Sequence, residues 1–143
     1  MALSGVTSFD HAVRSAGTWL ADVAKATGEE ENHDRAYRLL RAWLHTLRDR
    51  LPVDVTVHLG AQLPTLIRGV FYEGWVPHAV PAKYDRAEFL SRFCREAHLS
   101  GDDAETAEDT VRAISGALDH HLSPGTLDRV LDSLPGALRS ILS

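Results

Sequence analysis

The stretch Ala36–Leu47 reads Ala-Tyr-Arg-Leu-Leu-Arg-Ala-Trp-Leu-His-Thr-Leu, and 71 positions later Ala107–Leu118 reads Ala-Glu-Asp-Thr-Val-Arg-Ala-Ile-Ser-Gly-Ala-Leu. In the first, Ala36, Leu40, Trp43 and Leu47 recur at steps of 4, 3 and 4, the spacing of one helix face. The shift of 71 lays them on Ala107, Val111, Ile114 and Leu118. The register persists downstream. Leu51 meets Leu122, Leu63-Pro64 meets Leu134-Pro135, Ile67-Arg68 meets Leu138-Arg139, and Val70-Phe71 meets Ile141-Leu142. Upstream the match loosens, with Phe9-Asp10 near Tyr84-Asp85 and Gly28 near Gly101. A period this long is the mark of a duplicated supersecondary unit. Neither amphipathic unit can bury its apolar stripe alone, so the two are expected to pack as pseudo-symmetric halves around one core.

The remaining segments are helical by the same criterion. Phe9, Val13, Ala16, Leu20 and Val23 mark one face of a first helix, opened by Thr7 with Asp10 and closed by Gly28. Asp54 is placed as the N-cap of a short helix through Leu59, although Val53–Leu59 also alternates as a strand would. Pro64 opens the next helix, to about Tyr72. Gly74–Lys83, with Pro77 and Pro81, reads as a linker. Asp85 with Glu88 caps a helix carrying Phe89, Phe93 and Ala97 and closed by Gly101, and Ser123-Pro124 starts the last segment. The expected fold is all-α: a single domain of two tandem units, about 7–75 and 85–143, joined by a linker at about 76–84, with six to eight helices.

Bulk composition agrees. At 143 residues, surface scaling predicts roughly 7,300 Å² accessible when folded. Fifteen Lys+Arg against twenty Asp+Glu leave a formal charge of −5, which argues against nonspecific attraction to nucleic acid or anionic lipid. Eight histidines would reverse that sign if all were protonated. The lone cysteine, Cys94, cannot form an internal disulfide, which suits a reducing cytoplasm. No apolar run approaches the ~20 residues of a membrane span, and Met1–Val6 shows no secretory leader.

The run Ala61-Gln62-Leu63-Pro64-Thr65-Leu66-Ile67-Arg68-Gly69-Val70-Phe71-Tyr72-Glu73-Gly74-Trp75 resembles the signature of the bacterial family called domain of unknown function 2267. The likeness includes Arg35-Ala36 and the Leu47-x-x-x-Leu51 spacing and extends over most of the chain. It implies an all-helical fold with a repeated half, and no catalytic residue. The second half keeps Leu134-Pro135 and Arg139 but has no equivalent of Tyr-Glu-Gly-Trp.

Several residue sets carry possible chemistry. Arg38, Arg41, His45 and Arg48 centre about 150–160° from the apolar face of their helix, an outward basic stripe. It is either a phosphate or RNA contact or a solvated face stitched by Asp34–Arg38 and His45–Asp49 pairs. The equivalent later face carries Glu105, Asp109 and Asp119 with Arg112, so opposite faces can favour self-association. Tyr72 and Trp75 are the best partner-binding candidates. A helix ending at Gly74 would point them to different sides. Arg68 and Arg139 are placed to tie helix-end carbonyls or to meet a carboxylate across the halves. Glu30-x-x-His33 lacks the second motif of a di-iron bundle, and adjacent His120 and His121 diverge on a helix, so no metal or cofactor is expected. Cys94 reads as a buried hydrophobe rather than a nucleophile.

Association rather than catalysis is therefore the expected mode: docking of a protein partner or a second copy on Tyr72, Trp75 and Arg68, or on Arg38, Arg41 and Arg48. The alternative is an enzyme with Glu73, Arg68 and His78 converging in a pocket between the halves. A nucleic-acid reading rests on the arginine stripe alone.

Overall fold

A computed structural model describes residues 4–143. The N-terminal reading made above falls partly on residues 1–3, outside the described residues. Among the described residues there are nine α-helices and no strand: α1 Thr7–Thr27, α2 His33–Arg50, α3 Val53–Ala61, α4 Thr65–Tyr72, α5 Arg86–Ala97, α6 Asp102–Glu105, α7 Ala107–Asp119, α8 Thr126–Leu131 and α9 Gly136–Leu142. The segment beyond the expected six to eight is the single turn α6. Val53–Leu59 is helical, its Val55 packed against the core. No helix among the described residues is long and apolar enough to cross a membrane.

The contacts carry the duplication into three dimensions. Pair α1 with α5, α2 with α7, and α4 with α9. Then α1 on α7 has its image in α5 on α2, α1 on α2 in α5 on α7, α1 on α4 in α5 on α9, and α2 on α4 in α7 on α9. The contact between α3 and α8 is its own image. The halves thus interleave around one core, in which Trp43, Phe71, Phe89, Phe93, Leu40, Leu47, Ile114 and Leu118 are fully buried. Across its centre the indole N–H of Trp43 donates to Ser115 Oγ at 3.0 Å, and Ser115 Oγ donates to the Val111 carbonyl. That chain satisfies the polar atoms which burial would otherwise strand. The accessible surface is 7598 Å², close to the scaling value.

Helix ends depart from expectation where backbone geometry overrides residue type. Pro64 and Pro135 are both N-caps in extended conformation rather than first helical residues. The helix through Leu59 is capped by Pro52, with Asp54 inside its first turn. Asp10 does not cap α1; its carboxylate accepts from the N–H and hydroxyl of Ser4. The N-cap of α8 is Gly125, with Ser123-Pro124 in the preceding turn. Asp85 caps α5 as expected, accepting the Glu88 N–H at 2.9 Å.

Gly101 does not close α5. His98 does, in left-handed conformation at φ 59°, with the Leu99 N–H reaching the Cys94 carbonyl. Gly28 closes α1 in the same way, with the Glu29 N–H reaching the Ala24 carbonyl, so α1 and α5 are related by 70 positions. Exposed His98 holds a conformation that costs a residue with a Cβ. His98→Gly is expected to stabilise the protein by about 1 kcal/mol, read as a higher melting temperature. An unchanged or lower value would count against this cap.

Candidate functional site

The arginine stripe of α2 points inward rather than to solvent. α4 and α5 both pack on α2, so the face opposite Trp43 is covered as well. Arg48 is 4% exposed and donates to the carbonyls of Phe71 (2.9 Å) and Glu73 (2.7 Å) through Nη1, and to Asp49 through Nε. His45 is equally buried, its Nε2 donating to the Val70 carbonyl at 2.7 Å and its Nδ1 facing the Glu96 carboxylate. Arg41 bridges Glu73 (2.6 Å) and Glu96 (3.2 Å). A helix leaves its last carbonyls without intrahelical donors, and cationic groups there also meet its dipole favourably. His45 and Arg48 thus serve as the C-terminal cap of α4. The expected Asp34–Arg38 and His45–Asp49 pairs are not formed; Glu96 of α5 takes His45, and Arg48 takes Asp49. Of the stripe, Arg38 alone is exposed.

The second half solves the same problem with another residue. Arg112, at the position of Arg41, donates to the Ser140 carbonyl near the end of α9 and pairs with Glu108 and Asp109. Glu108 is also paired with Arg86, whose guanidinium holds that carboxyl below the usual range. The acidic face expected to attract a second copy is thus partly neutralised within its own chain, and of its basic counterpart His45 and Arg48 are buried and Arg41 is paired.

Arg68 binds carbonyls at the end of α3, with Nε to Gly60 and Nη2 to Leu63, both at 2.8 Å. Arg139 meets Asp132 instead. Tyr72 and Trp75 face one another, ring centroids 5.3 Å apart, contrary to the divergence expected. Left-handed Gly74 turns the chain back, and the Trp75 N–H reaches the Tyr72 carbonyl. Both rings are half-buried, and Tyr72 lies against the bare backbone of Gly60. They cover a helix junction. Glu73, Arg68 and His78 do not converge: Glu73 is held by Arg41, which keeps its carboxyl below the usual range, Arg68 is at the α3 end, and His78 is exposed in the 3₁₀ turn Pro77–Ala79.

Two surfaces were not foreseen. The first is a polar cleft of about 180 Å³ between α2 and α5, lined by Thr46, Asp49, Tyr84, Arg92, Arg95 and Glu96. The linker closes one side. The Tyr84 hydroxyl donates to the Thr46 carbonyl, and Arg92 lies 4.3 Å from the Tyr84 ring centroid. Burial, with Asp49 nearby, pushes the Tyr84 phenol well above its ordinary range, so it stays a hydrogen-bond donor. Cys94 lies on the same helix, and burial pushes its thiol up, away from the reactive thiolate.

The second is the N-terminal part of α1. Phe9 and Val13, expected on the apolar face, are 63% and 41% exposed, and Val6 beside them is 47% exposed. α1 has 21 residues and α5 has 12. With the relation of 70 positions, α5 corresponds to residues 16–27, so residues 7–15 extend α1 beyond the repeated fold.

His121 stacks on Trp19 and bonds Asp22, while His120 is exposed. Among the described residues no group of three or more His, Cys, Asp or Glu side chains is placed to hold a metal ion.

A family model described as an uncharacterized conserved protein, DUF2267, matches residues 16–141. The chain belongs to the DUF2267 family. The family match begins where the repeat equivalence of α1 begins, so the Phe9 extension lies outside both. No curated protein matches this DUF2267 chain.

Proposed function

We propose that this protein is a non-enzymatic interaction module of the bacterial cytoplasm, acting by protein–protein association. The observation that carries the reading is the apolar stripe Val6–Phe9–Val13 on the extension of α1, with Phe9 63% exposed. Contiguous apolar surface on a monomer is a usual mark of a docking face. The docking face moves to α1 because Tyr72, Trp75, Arg41, Arg48 and Arg68 are engaged within the chain, which leaves Arg38 as an isolated exposed cation. What weighs against the enzyme reading is that Glu73, Arg68 and His78 are each committed elsewhere or apart. A lone cysteine, which has no partner in the chain for a disulfide, supports a reducing compartment.

The test is affinity capture from the source cell with wild type and with the double variant Phe9→Ser/Val13→Ser. Both positions are exposed, so folding is expected to stay within about 0.5 kcal/mol of wild type. A defined partner retained by wild type and lost by the folded variant supports the reading. Identical profiles from the two proteins overturn it.

A further inference from the structure

The α2/α5 cleft is walled by Thr46 and Asp49 from α2 and by Arg92, Arg95 and Glu96 from α5, with Tyr84 along one side. Its polar groups keep bonding capacity that the chain does not use. Asp49 commits Oδ1 to Arg48 Nε, and Glu96 commits Oε1 to Arg41 and His45. Among the described residues, Asp49 Oδ2 and Glu96 Oε2 accept no hydrogen bond. Arg92 donates through Nε to Glu88 at 3.1 Å, and its two terminal nitrogens have no acceptor. Arg95 meets the same carboxylate only as an ion pair at 3.7 Å, with 69% of its side chain exposed. Thr46 is 3% exposed, yet its hydroxyl has no partner. Leaving a buried hydroxyl unpaired is costly, so one beside a polar cleft points to a molecule that reaches it.

The repeat shows that the fold does not demand this set. Thr46 and Asp49 correspond to Ala117 and His120, and Arg92, Arg95 and Glu96 to Asp22, Lys25 and Ala26. Leu40, Trp43 and Leu47 of the same helix α2 all have apolar counterparts. The apolar face was therefore kept in both halves while the cleft was not. Asp49 and Glu96 have a structural duty as counterions of the cationic groups that cap α4. That duty accounts neither for the unpaired hydroxyl of Thr46 nor for Arg95.

The charges select the occupant. A simple anion attracted by Arg92 and Arg95 is repelled by Asp49 and Glu96, and a simple cation meets the reverse. A molecule carrying an ammonium and a carboxylate satisfies both pairs. The cleft volume of about 180 Å³, roughly the share of six water molecules in the liquid, suits a single small amino acid rather than a peptide. We propose that the α2/α5 cleft binds a small free α-amino acid as its zwitterion. The ammonium lies toward Asp49 Oδ2 and Glu96 Oε2, the carboxylate toward Arg92 and Arg95, and the Thr46 hydroxyl gains its missing partner. This site goes beyond the association reading and does not depend on the Phe9 stripe.

The experiment titrates the isotope-labelled full chain with glycine, L-alanine and L-serine. Each is accompanied by its N-acetyl derivative, which lacks the ammonium, and its amide, which lacks the carboxylate. At least one of the three amino acids is expected to give saturable amide shifts at Thr46, Asp49, Arg92, Arg95 and Glu96. Both of its blocked derivatives are expected to bind at least tenfold more weakly. Two variants probe the walls without removing a bond that the chain makes to itself: Thr46→Val deletes only the unpaired hydroxyl, and Arg95→Gln alters an exposed side chain. Each is expected to weaken binding at least tenfold with the urea midpoint no lower than that of Arg38→Ala. No saturable shift with any of the three, shifts confined to other helices, a blocked derivative that binds as well as its parent, or folded variants that bind as wild type does would each overturn the proposal.

Discussion

Arg48→Ala is expected to destabilise the protein by about 3–5 kcal/mol, the cost of removing one partner from a buried charged network. The substitution leaves the Phe71 and Glu73 carbonyls without their donor, releases Asp49, and opens a void between α2 and the end of α4. Lysine restores the charge but not the arrangement. Its ammonium cannot reproduce a fork whose Nε holds Asp49 while Nη1 bridges two carbonyls, so Arg48→Lys is expected to recover less than half of the loss. Exposed Arg38 supplies the control, and Arg38→Ala should fall within about 0.5 kcal/mol of wild type. Urea unfolding of the three variants separates the cases. If Arg48→Ala unfolded within 1 kcal/mol of wild type, as about expected of a surface site, the capping role of α2 would be wrong.

The second large effect concerns a glycine. A Cβ built on Gly60 would lie 2.2 Å from Tyr72 Oη, 2.7 Å from Cζ and 3.0 Å from Cε2. The ring cannot swing freely, since Phe71 and Trp75 pack beside it at centroid distances of 5.2 and 5.3 Å. Gly60→Ala is therefore expected to cost about 1–3 kcal/mol by overpacking, read from the urea midpoint. The other half shows the compensation: at positions 71 further on, Gly60 becomes buried Leu131 and Tyr72 becomes Ser143. Gly60→Leu should be worse than Gly60→Ala, and Gly60→Leu/Tyr72→Ser should be more stable than Gly60→Leu alone. A double variant no better than the single one would refute this volume exchange.

The core of the fold was legible because period and repeat report the same thing twice. Ala36, Leu40, Trp43 and Leu47, and their images in α7, are all buried. Legibility failed where one helix has neighbours on both sides. Periodicity marks Arg41, His45 and Arg48 as polar and assigns them to water. It cannot register that α4 ends beside them with carbonyls in need of donors. A signal was available in Arg112, which lies 71 positions after Arg41 and donates at the end of α9. Phe9 and Val13 misled in the opposite sense, because the apolar stripe of α1 continues past the residues that have a counterpart in α5, and they are exposed there. The α2/α5 cleft was illegible for a third reason: Tyr84 closes it from the linker, and backbone course is invisible to residue pattern.

The interleaved contacts have a consequence for how such a chain can arise. α1 lies on α7 and α2 on α5, so each half, beside its own packing of α1 on α2 or α5 on α7, is closed by the other. One half expressed alone would leave uncovered the faces that α1 and α2 turn to α7 and α5. It would cover them by meeting an identical copy about a true dyad, with the contacts now made between the halves recreated between two polypeptides. Joining two such copies end to end converts a concentration-dependent pair into a permanent one. It also frees each copy to diverge, as the Arg48 cap and the Tyr84 plug on one side have done.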